Sequence, residues 1–283
     1  MKTKTISFIS LLIICLLITI SCQQEKNTGN FTFKTIAKQE KAHLFNNPDK
    51  PSCSLSLDFT YINKSTNDLL KDSLNNYFIS LFFGDTYQNK PLDTIFSEYI
   101  NEYVQIYKND LESLYKEDEE MHQADSSYTI GGWYFYEKTL NSTIAFYNQD
   151  LLAYQIDYTE YTGGAHGIYA TNVYNFDLNT RMILKLPDIF VPNYQESLTE
   201  ELWNQLMLDN QVSTKEELRD LGFESTGELT PTSNFKLDKE GITFIYNVYE
   251  IVPYAMGMVS ITIPYSKIAH LFNSNPILQS VLN

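Results

Sequence analysis

The scarcest reactive side chains in this 283-residue sequence are four histidines, at positions 43, 122, 166 and 270. They are separated by 79, 44 and 104 residues, so no two of them have the short spacing that places a pair of metal ligands on one helix. The sequence also lacks the Gly-x-Ser-x-Gly elbow that exposes a serine nucleophile. It therefore predicts no metal, no other cofactor and no catalytic residue.

The most unusual local string surrounds one of these histidines, in the segment from residue 161 to residue 167. Three glycines in five positions permit positive φ angles and a close approach of the backbone to another molecule. Free N–H groups of such a segment can bind an anion, but no Lys-Ser/Thr pair follows, as a phosphate loop requires. Two interpretations stay open, a tight connection between strands and a ligand-contacting loop. The binding candidates are Tyr161, Gly163, Gly164, His166 and Gly167.

Two other patterns of polar residues are weaker. Asn175-x-Asp177-x-Asn179 resembles the start of a calcium loop, but Thr180 and Leu186 stand where that loop needs glycine and a bidentate glutamate. A turn stabilised by local side-chain hydrogen bonds is the better explanation. Paired carboxylates of the glycosidase type stay possible, although nothing singles out one pair among the 35 acidic residues.

The elements that must position these residues follow from the hydrophobic periodicity. Two half-buried strands come first, then two helices, the second with a tyrosine stripe spaced by four from Tyr99 to Tyr107. From Trp133 the period changes to two, with predicted strands at 133–139, 143–148, 151–159 and 168–177. Later strands are predicted at 235–237, 242–249 and 258–263, with helices at 196–208, 214–221 and 265–272. Because the gaps in the meander are too short for crossover helices, we expect an α+β fold, an antiparallel sheet with helices packed on one side.

The N-terminal residues predict the compartment. Lys2 and Lys4 precede an apolar run from Ile6 to Ile20 that is shorter than the roughly 20 residues of a membrane-spanning helix. A signal peptide of residues 1–21 is therefore predicted. Ser21 before Cys22 resembles a bacterial lipobox, so we expect a lipidated Cys22, a tether over residues 22–30 and an extracytoplasmic location in the cell envelope.

Composition limits the partners. The chain has 20 basic and 35 acidic residues, a formal charge of −15, and loss of residues 1–21 removes two lysines and no acid, which gives −17. Such acidity argues against binding to nucleic acid, because phosphate contacts need clustered Lys and Arg. After processing, Cys53 is the one unmodified cysteine, and it is predicted to be a buried structural thiol without a disulfide.

Several segments of the second half carry a family resemblance. They are residues 161–167, 174–178, 186–190, 244–257 and 259–265. The chain resembles the PdaC/RsiV-like envelope domain, which is shared by a lysozyme-sensing anti-sigma factor and the non-catalytic part of a peptidoglycan deacetylase. The resemblance implies an extracytoplasmic α+β domain without catalysis, in two associated subdomains, PdaC-like over residues 31–155 and RsiV-like over residues 156–283. It adds Tyr249 and Tyr254 to the binding candidates.

These observations together favour a lipid-anchored envelope protein that binds a cationic protein such as a lysozyme, or a cell-wall glycan. An acidic surface favours encounter with a basic protein. The alternative is a glycan-processing hydrolase that uses His166 with a distant carboxylate. A third possibility is an assembly lipoprotein whose partner lies in the same envelope.

Overall fold

The computed structural model describes residues 30–282, so the predicted signal peptide and Cys22 lie outside the described residues. The strands are β1 (Thr32–His43), β2 (Ser52–Lys64), β3 (Tyr136–Tyr147), β4 (Leu151–Tyr161), β5 (Ile168–Asp177), β6 (Met182–Ile183), β7 (Phe235–Leu237), β8 (Ile242–Tyr246) and β9 (Val259–Ile263). The α-helices are α1 (Asp68–Phe83), α2 (Leu92–Ala124), α3 (Leu186–Ile189), α4 (Gln195–Asp209), α5 (Lys215–Asp220), α6 (Tyr265–Ile268) and α7 (Ile277–Leu282). The α+β class is confirmed.

Strands β1 to β6 form one sheet in chain order, and four of its five pairings are antiparallel. The exception is β2 with β3, where Ser54 pairs with Glu137 and Asp58 pairs with Asn141 in parallel register. Helices α1 and α2 form the connection between these two strands, and this return path across the sheet gives them the same direction. The predicted meander is thus present from β3 to β6, but the sheet as a whole is mixed.

Helices α1 and α2 pack on one face of this sheet. Asn67 caps α1, since its side chain accepts a hydrogen bond from the Leu70 N–H group at 3.0 Å. Phe78 of α1 is fully buried, and its ring stacks on that of Tyr154 in β4 at 3.9 Å. The tyrosine stripe of α2 lies in the same core, where Tyr107 is fully buried. The prediction that this stripe is core is therefore confirmed, and so is the buried Cys53 thiol.

Strands β7, β8 and β9 form a second, antiparallel sheet, which packs with α4, α6 and α7 around its own core. Asparagine side chains join this sheet to β5. The Asn234 side chain accepts from the Val173 N–H group at 2.9 Å and donates to the Thr171 carbonyl at 2.7 Å. Asn175, which is 2% exposed, donates to the Phe235 carbonyl at 2.7 Å and accepts from Leu237 N–H at 3.0 Å. Asn234 thus satisfies backbone groups of β5, and Asn175 satisfies backbone groups of β7.

Some predicted boundaries differ from the structure. The expected strands at 133–139 and 143–148 are replaced by one strand, β3, because the buried Ser142 hydroxyl takes part in the sheet, accepting from the Thr60 N–H group at 2.8 Å. β3 begins only at Tyr136, since Gly132–Tyr134 is a short helical turn. β8 ends at Tyr246, before the predicted residue 249. The predicted limit between residues 155 and 156 falls inside β4, and the subdomain limits stay a prediction. No helix within residues 30–282 is long and apolar enough to cross a membrane.

Candidate functional site

The glycine loop, residues 161–167, connects β4 to β5 and has a tightly folded backbone. Gly163 and Gly164 have φ angles of 86° and 98°, a region that L side chains rarely adopt. A Cβ atom on Gly163 would lie 2.6 Å from the Trp133 carbonyl oxygen, and one on Gly167 would lie 2.7 Å from the Glu160 carbonyl oxygen. The glycines therefore allow the loop to pack directly against two other stretches of backbone.

The loop presents His166 to two tyrosines, and a third tyrosine packs on one of these. The four residues are here named the aromatic cluster: His166, Tyr169, Tyr249 and Tyr254. The imidazole stacks on the Tyr254 ring at 4.0 Å between centroids and 17° between planes. The Tyr249 hydroxyl lies 3.2 Å from His166 Nε2, and the Tyr169 ring meets Tyr254 edge-on at 5.6 Å. The turn that carries Tyr249 places this residue at a φ of 69°. Loop, strand and turn thus converge on one aromatic surface.

This surface is accessible from solvent. His166 is exposed, Tyr249 is 47% exposed, and Tyr254 and Tyr169 are half-buried. Trp133 beneath the glycine loop is 50% exposed and Ile168 after it is 48% exposed. Exposed rings at adjacent positions of two loops are typical of a surface that contacts a partner, since aromatic side chains supply large contact areas at interfaces.

The structure brings together most of the residues that the sequence singled out. His166, Tyr249 and Tyr254 meet directly, while Gly163, Gly164 and Gly167 shape the loop. Tyr161 supports it from within, because its hydroxyl donates to the Gly164 carbonyl at 3.0 Å.

Two members of this region were missed by sequence reasoning, Trp133 and Tyr169. Trp133 follows two glycines in a short helical turn, a signal that could have marked it as an exposed ring. Tyr169 looked like an ordinary strand residue.

The chemistry available to His166 is limited by its contacts. Its Nδ1 lies 3.1 Å from the carbonyl oxygen of Gly167, and its Nε2 faces the Tyr249 hydroxyl, so neither ring nitrogen contacts a carboxylate of the residues that the structure describes. In the part of the chain from residue 30 to residue 282, no group of three or more His, Cys, Asp or Glu side chains is arranged to hold a metal ion. The Asp177 carboxylate accepts from the Asn179 N–H group at 2.8 Å, which confirms the predicted turn in place of a calcium loop.

The fold is that of a two-sheet α+β protein. Asparagine side chains join a mixed six-stranded sheet to a smaller antiparallel sheet, and the aromatic surface lies near this junction. Two family models match consecutive parts of the chain, the deacetylase PdaC model over residues 46–169 and the model for a protein of unknown function, DUF3298, over residues 187–266. The predicted resemblance to a PdaC/RsiV-like domain is confirmed.

Two solved structures are similar to this chain. A DUF3298 family member from Bacteroides fragilis is 50% identical, with a TM-score of 0.86, over 90% of this chain and 99% of that one. A DUF3298 family protein from Pseudomonas aeruginosa is 16% identical, with a TM-score of 0.60 over 87% and 95% of the two chains, and shows the fold alone. The chain belongs to the DUF3298 family. No curated protein matches it.

Proposed function

We propose that this protein is a non-catalytic binding protein of the bacterial cell envelope, anchored by a lipid on Cys22. Its aromatic cluster binds a cationic protein of the lysozyme type. The observation that carries the proposal is the stack of His166 on Tyr254 with Tyr249 beside it, exposed on the surface of a chain with a formal charge of −15.

Ring faces and negative charge suit the same kind of partner. Lysine and arginine side chains are attracted to the faces of tyrosine rings, and a negatively charged surface steers a basic protein toward them. The resemblance to an envelope domain found in a lysozyme-sensing protein supports the same partner class. The sequence features before residue 30 support the anchor and the extracytoplasmic location.

The hydrolase alternative has less support. A general acid–base pair needs a carboxylate within hydrogen-bond reach of the histidine or of the substrate that it holds. The ring nitrogens of His166 contact a backbone carbonyl and a hydroxyl. Turnover of cell-wall glycan that is lost in His166→Ala would favour the hydrolase over the binding protein.

The proposal is tested by measuring binding of the full chain, held in detergent, to a cationic lysozyme at low and at moderate salt. We expect binding that weakens as salt rises, because exposed charges are screened. Tyr254→Ala removes the ring that stacks on His166 and should weaken binding by about tenfold or more, as central aromatic contacts do. Leu208→Ala is the matched control, because Leu208 is 68% exposed on α4 and lies outside the cluster.

Absence of binding at both salt concentrations would contradict the proposal. Equal effects of Tyr254→Ala and Leu208→Ala would leave a lysozyme interaction but place it elsewhere on the protein.

A further inference from the structure

A cavity of about 410 Å³ lies on the six-stranded sheet, shares no lining residue with the aromatic cluster, and is here named the sheet cleft. Three neighbouring strands line it with three consecutive residues each. The lining residues are Gln39, Glu40 and Lys41 of β1, Ser54, Leu55 and Ser56 of β2, and Glu137, Lys138 and Thr139 of β3.

The alternation of side chains along a strand decides which of these residues face the cleft. Leu55 is 2% exposed and belongs to the core beneath α1 and α2, and Lys138 lies over the Tyr99 ring of α2. The middle residue of each strand therefore points to the helices and offers its backbone to the cleft floor. Its neighbours project from the opposite face in two rows across the strands. The rows are Gln39, Ser56 and Thr139, and Lys41, Ser54 and Glu137.

None of these six side chains has a hydrogen-bond or ion-pair partner among residues 30–282. The same face carries paired groups further along the sheet, where the Thr171 hydroxyl donates to the Asp157 carboxylate at 2.7 Å. Within the cleft, three hydroxyls, an amide, an ammonium and a carboxylate are all free to bond to another molecule. Three adjacent strands thus present donors and acceptors that residues 30–282 leave unused.

Charge and size restrict the ligand. The six side chains include one base and one acid, so the cleft is formally neutral within a chain of charge −15. This neutrality does not favour the cationic partner that the acidic surface attracts, nor an anion. The volume lies within the range of roughly 300–1,000 Å³ that is usual for small-molecule sites. The lining combines polar side-chain ends with carbon surface, which suits a ligand that presents both hydroxyl groups and C–H faces.

We infer that the sheet cleft binds an uncharged saccharide, whose ring hydroxyls or acetamide groups bond to the two rows of side chains. The site is separate from the aromatic cluster and extends the proposed function with a second ligand. Glu137 has Tyr161 of the glycine loop as its partner in the β3–β4 register, so one end of the cleft lies next to that loop.

The inference is tested by calorimetric titration of the full chain in detergent with two probes, an N-acetylglucosamine tetramer and a glucose tetramer. Binding of both probes indicates recognition of hydroxyls, and binding of the first alone indicates recognition of the acetamide group. Each result supports a saccharide site. Thr139→Val and Glu137→Gln keep the side-chain shapes and should each weaken binding about fivefold to tenfold, the usual result of losing one hydrogen bond or its charge.

The matched control is Thr143→Val, the same change on the same strand outside the cleft lining, which should leave saccharide affinity unchanged. Failure of the chain to bind either tetramer would overturn the inference, and so would an equal loss in Thr139→Val and Thr143→Val. Tyr254→Ala separates the two proposals, because it should weaken lysozyme binding while the tetramer affinity stays within twofold.

Discussion

Gly163 and Gly164 have similar positive φ angles but different neighbours. A Cβ atom on Gly163 would meet the Trp133 carbonyl oxygen at 2.6 Å, whereas one on Gly164 would have no heavy atom within 4 Å. The first glycine therefore supplies both conformational freedom and close packing, and the second supplies conformational freedom alone.

This difference gives a prediction for two alanine variants. Gly164→Ala should lower the free energy of unfolding by about 1–2 kcal/mol, the cost of placing an L residue at positive φ. Gly163→Ala should lower it by at least about 1 kcal/mol more, because the loop must also move away from Trp133. Denaturant unfolding followed by tryptophan fluorescence measures both values. Equal values for the two variants would show that the contact with Trp133 does not constrain the loop.

At this scale the sequence predicts a site where residue types are rare or locally clustered. His166 and its glycines are adjacent in the chain, so they were visible as a group. Tyr249 and Tyr254 entered only through the family resemblance, because 21 tyrosines are too many for any one to stand out. The stack between His166 and Tyr254 joins positions 88 residues apart, and no local pattern encodes such a contact.

The connection between the two sheets depends on asparagine side chains more than on strand pairing. Asn175 and Asn234 together bond to backbone groups of β5, β7 and β8. An amide side chain carries a donor and an acceptor, as a peptide group does, and so it can take the place of a neighbouring strand. The asparagines consequently fix where the two sheets join, although they do so with few hydrogen bonds.

Asn175→Ala should therefore destabilise the protein strongly. It leaves the Phe235 carbonyl and the Leu237 N–H group without their partner, and the free energy of unfolding should fall by about 2–4 kcal/mol. Asn172→Ala, on the same strand, is the control, since the half-buried Asn172 has no side-chain hydrogen bond to the residues described, and its effect should stay within about 0.5 kcal/mol. Denaturant titration compares the two, and a small effect of Asn175→Ala would mean that hydrophobic contacts alone hold the sheets together.

Helices and strands with a strong hydrophobic periodicity could be predicted from the sequence, but the pairing of the strands could be predicted less well. The stripe of α2 and the alternation of β4 and β5 are local patterns, and the structure has these elements where they were expected. The parallel pairing of β2 with β3 depends on the path of about 70 intervening residues, which periodicity does not contain. The single strand β3 was missed because Leu140, Asn141 and Ser142 resemble a turn until Ser142 is seen bonding to β2.

Buried tyrosines give the whole molecule a distinct response to alkaline pH. Burial raises the pKa of Tyr134 to about 12, with a further contribution from its hydrogen bond to the Asp118 carboxylate. Burial also raises the pKa of Tyr107 and of Tyr154 well above the ordinary value for tyrosine. Folding therefore favours the neutral form of each of these phenols.

The sign of the pH dependence follows from these pKa values. A tyrosine whose pKa is higher in the folded than in the unfolded chain stabilises the fold fully at pH values below its unfolded pKa of about 10. This stabilisation is lost as the pH rises from that value toward the pKa in the folded protein. We expect the free energy of unfolding to fall steadily between about pH 10 and 12, with a shallower slope in Tyr134→Phe. Tyrosinate absorbance measured alongside unfolding checks this, and normal titration of all tyrosines in an intact fold would contradict it.

The parallel pair of strands also constrains the order in which the chain can fold as it is synthesised. β2 ends at Lys64 and its second partner, β3, begins at Tyr136, so a chain that emerges N-terminus first forms the β1–β2 hairpin long before β3 is available. Until then one edge of β2 has unpaired backbone groups, a state prone to intermolecular pairing, and such non-local contacts form slowly. A chain that folds from its N-terminus therefore exposes this edge until β3 arrives, and a chaperone that covers the β2 edge would act within that interval.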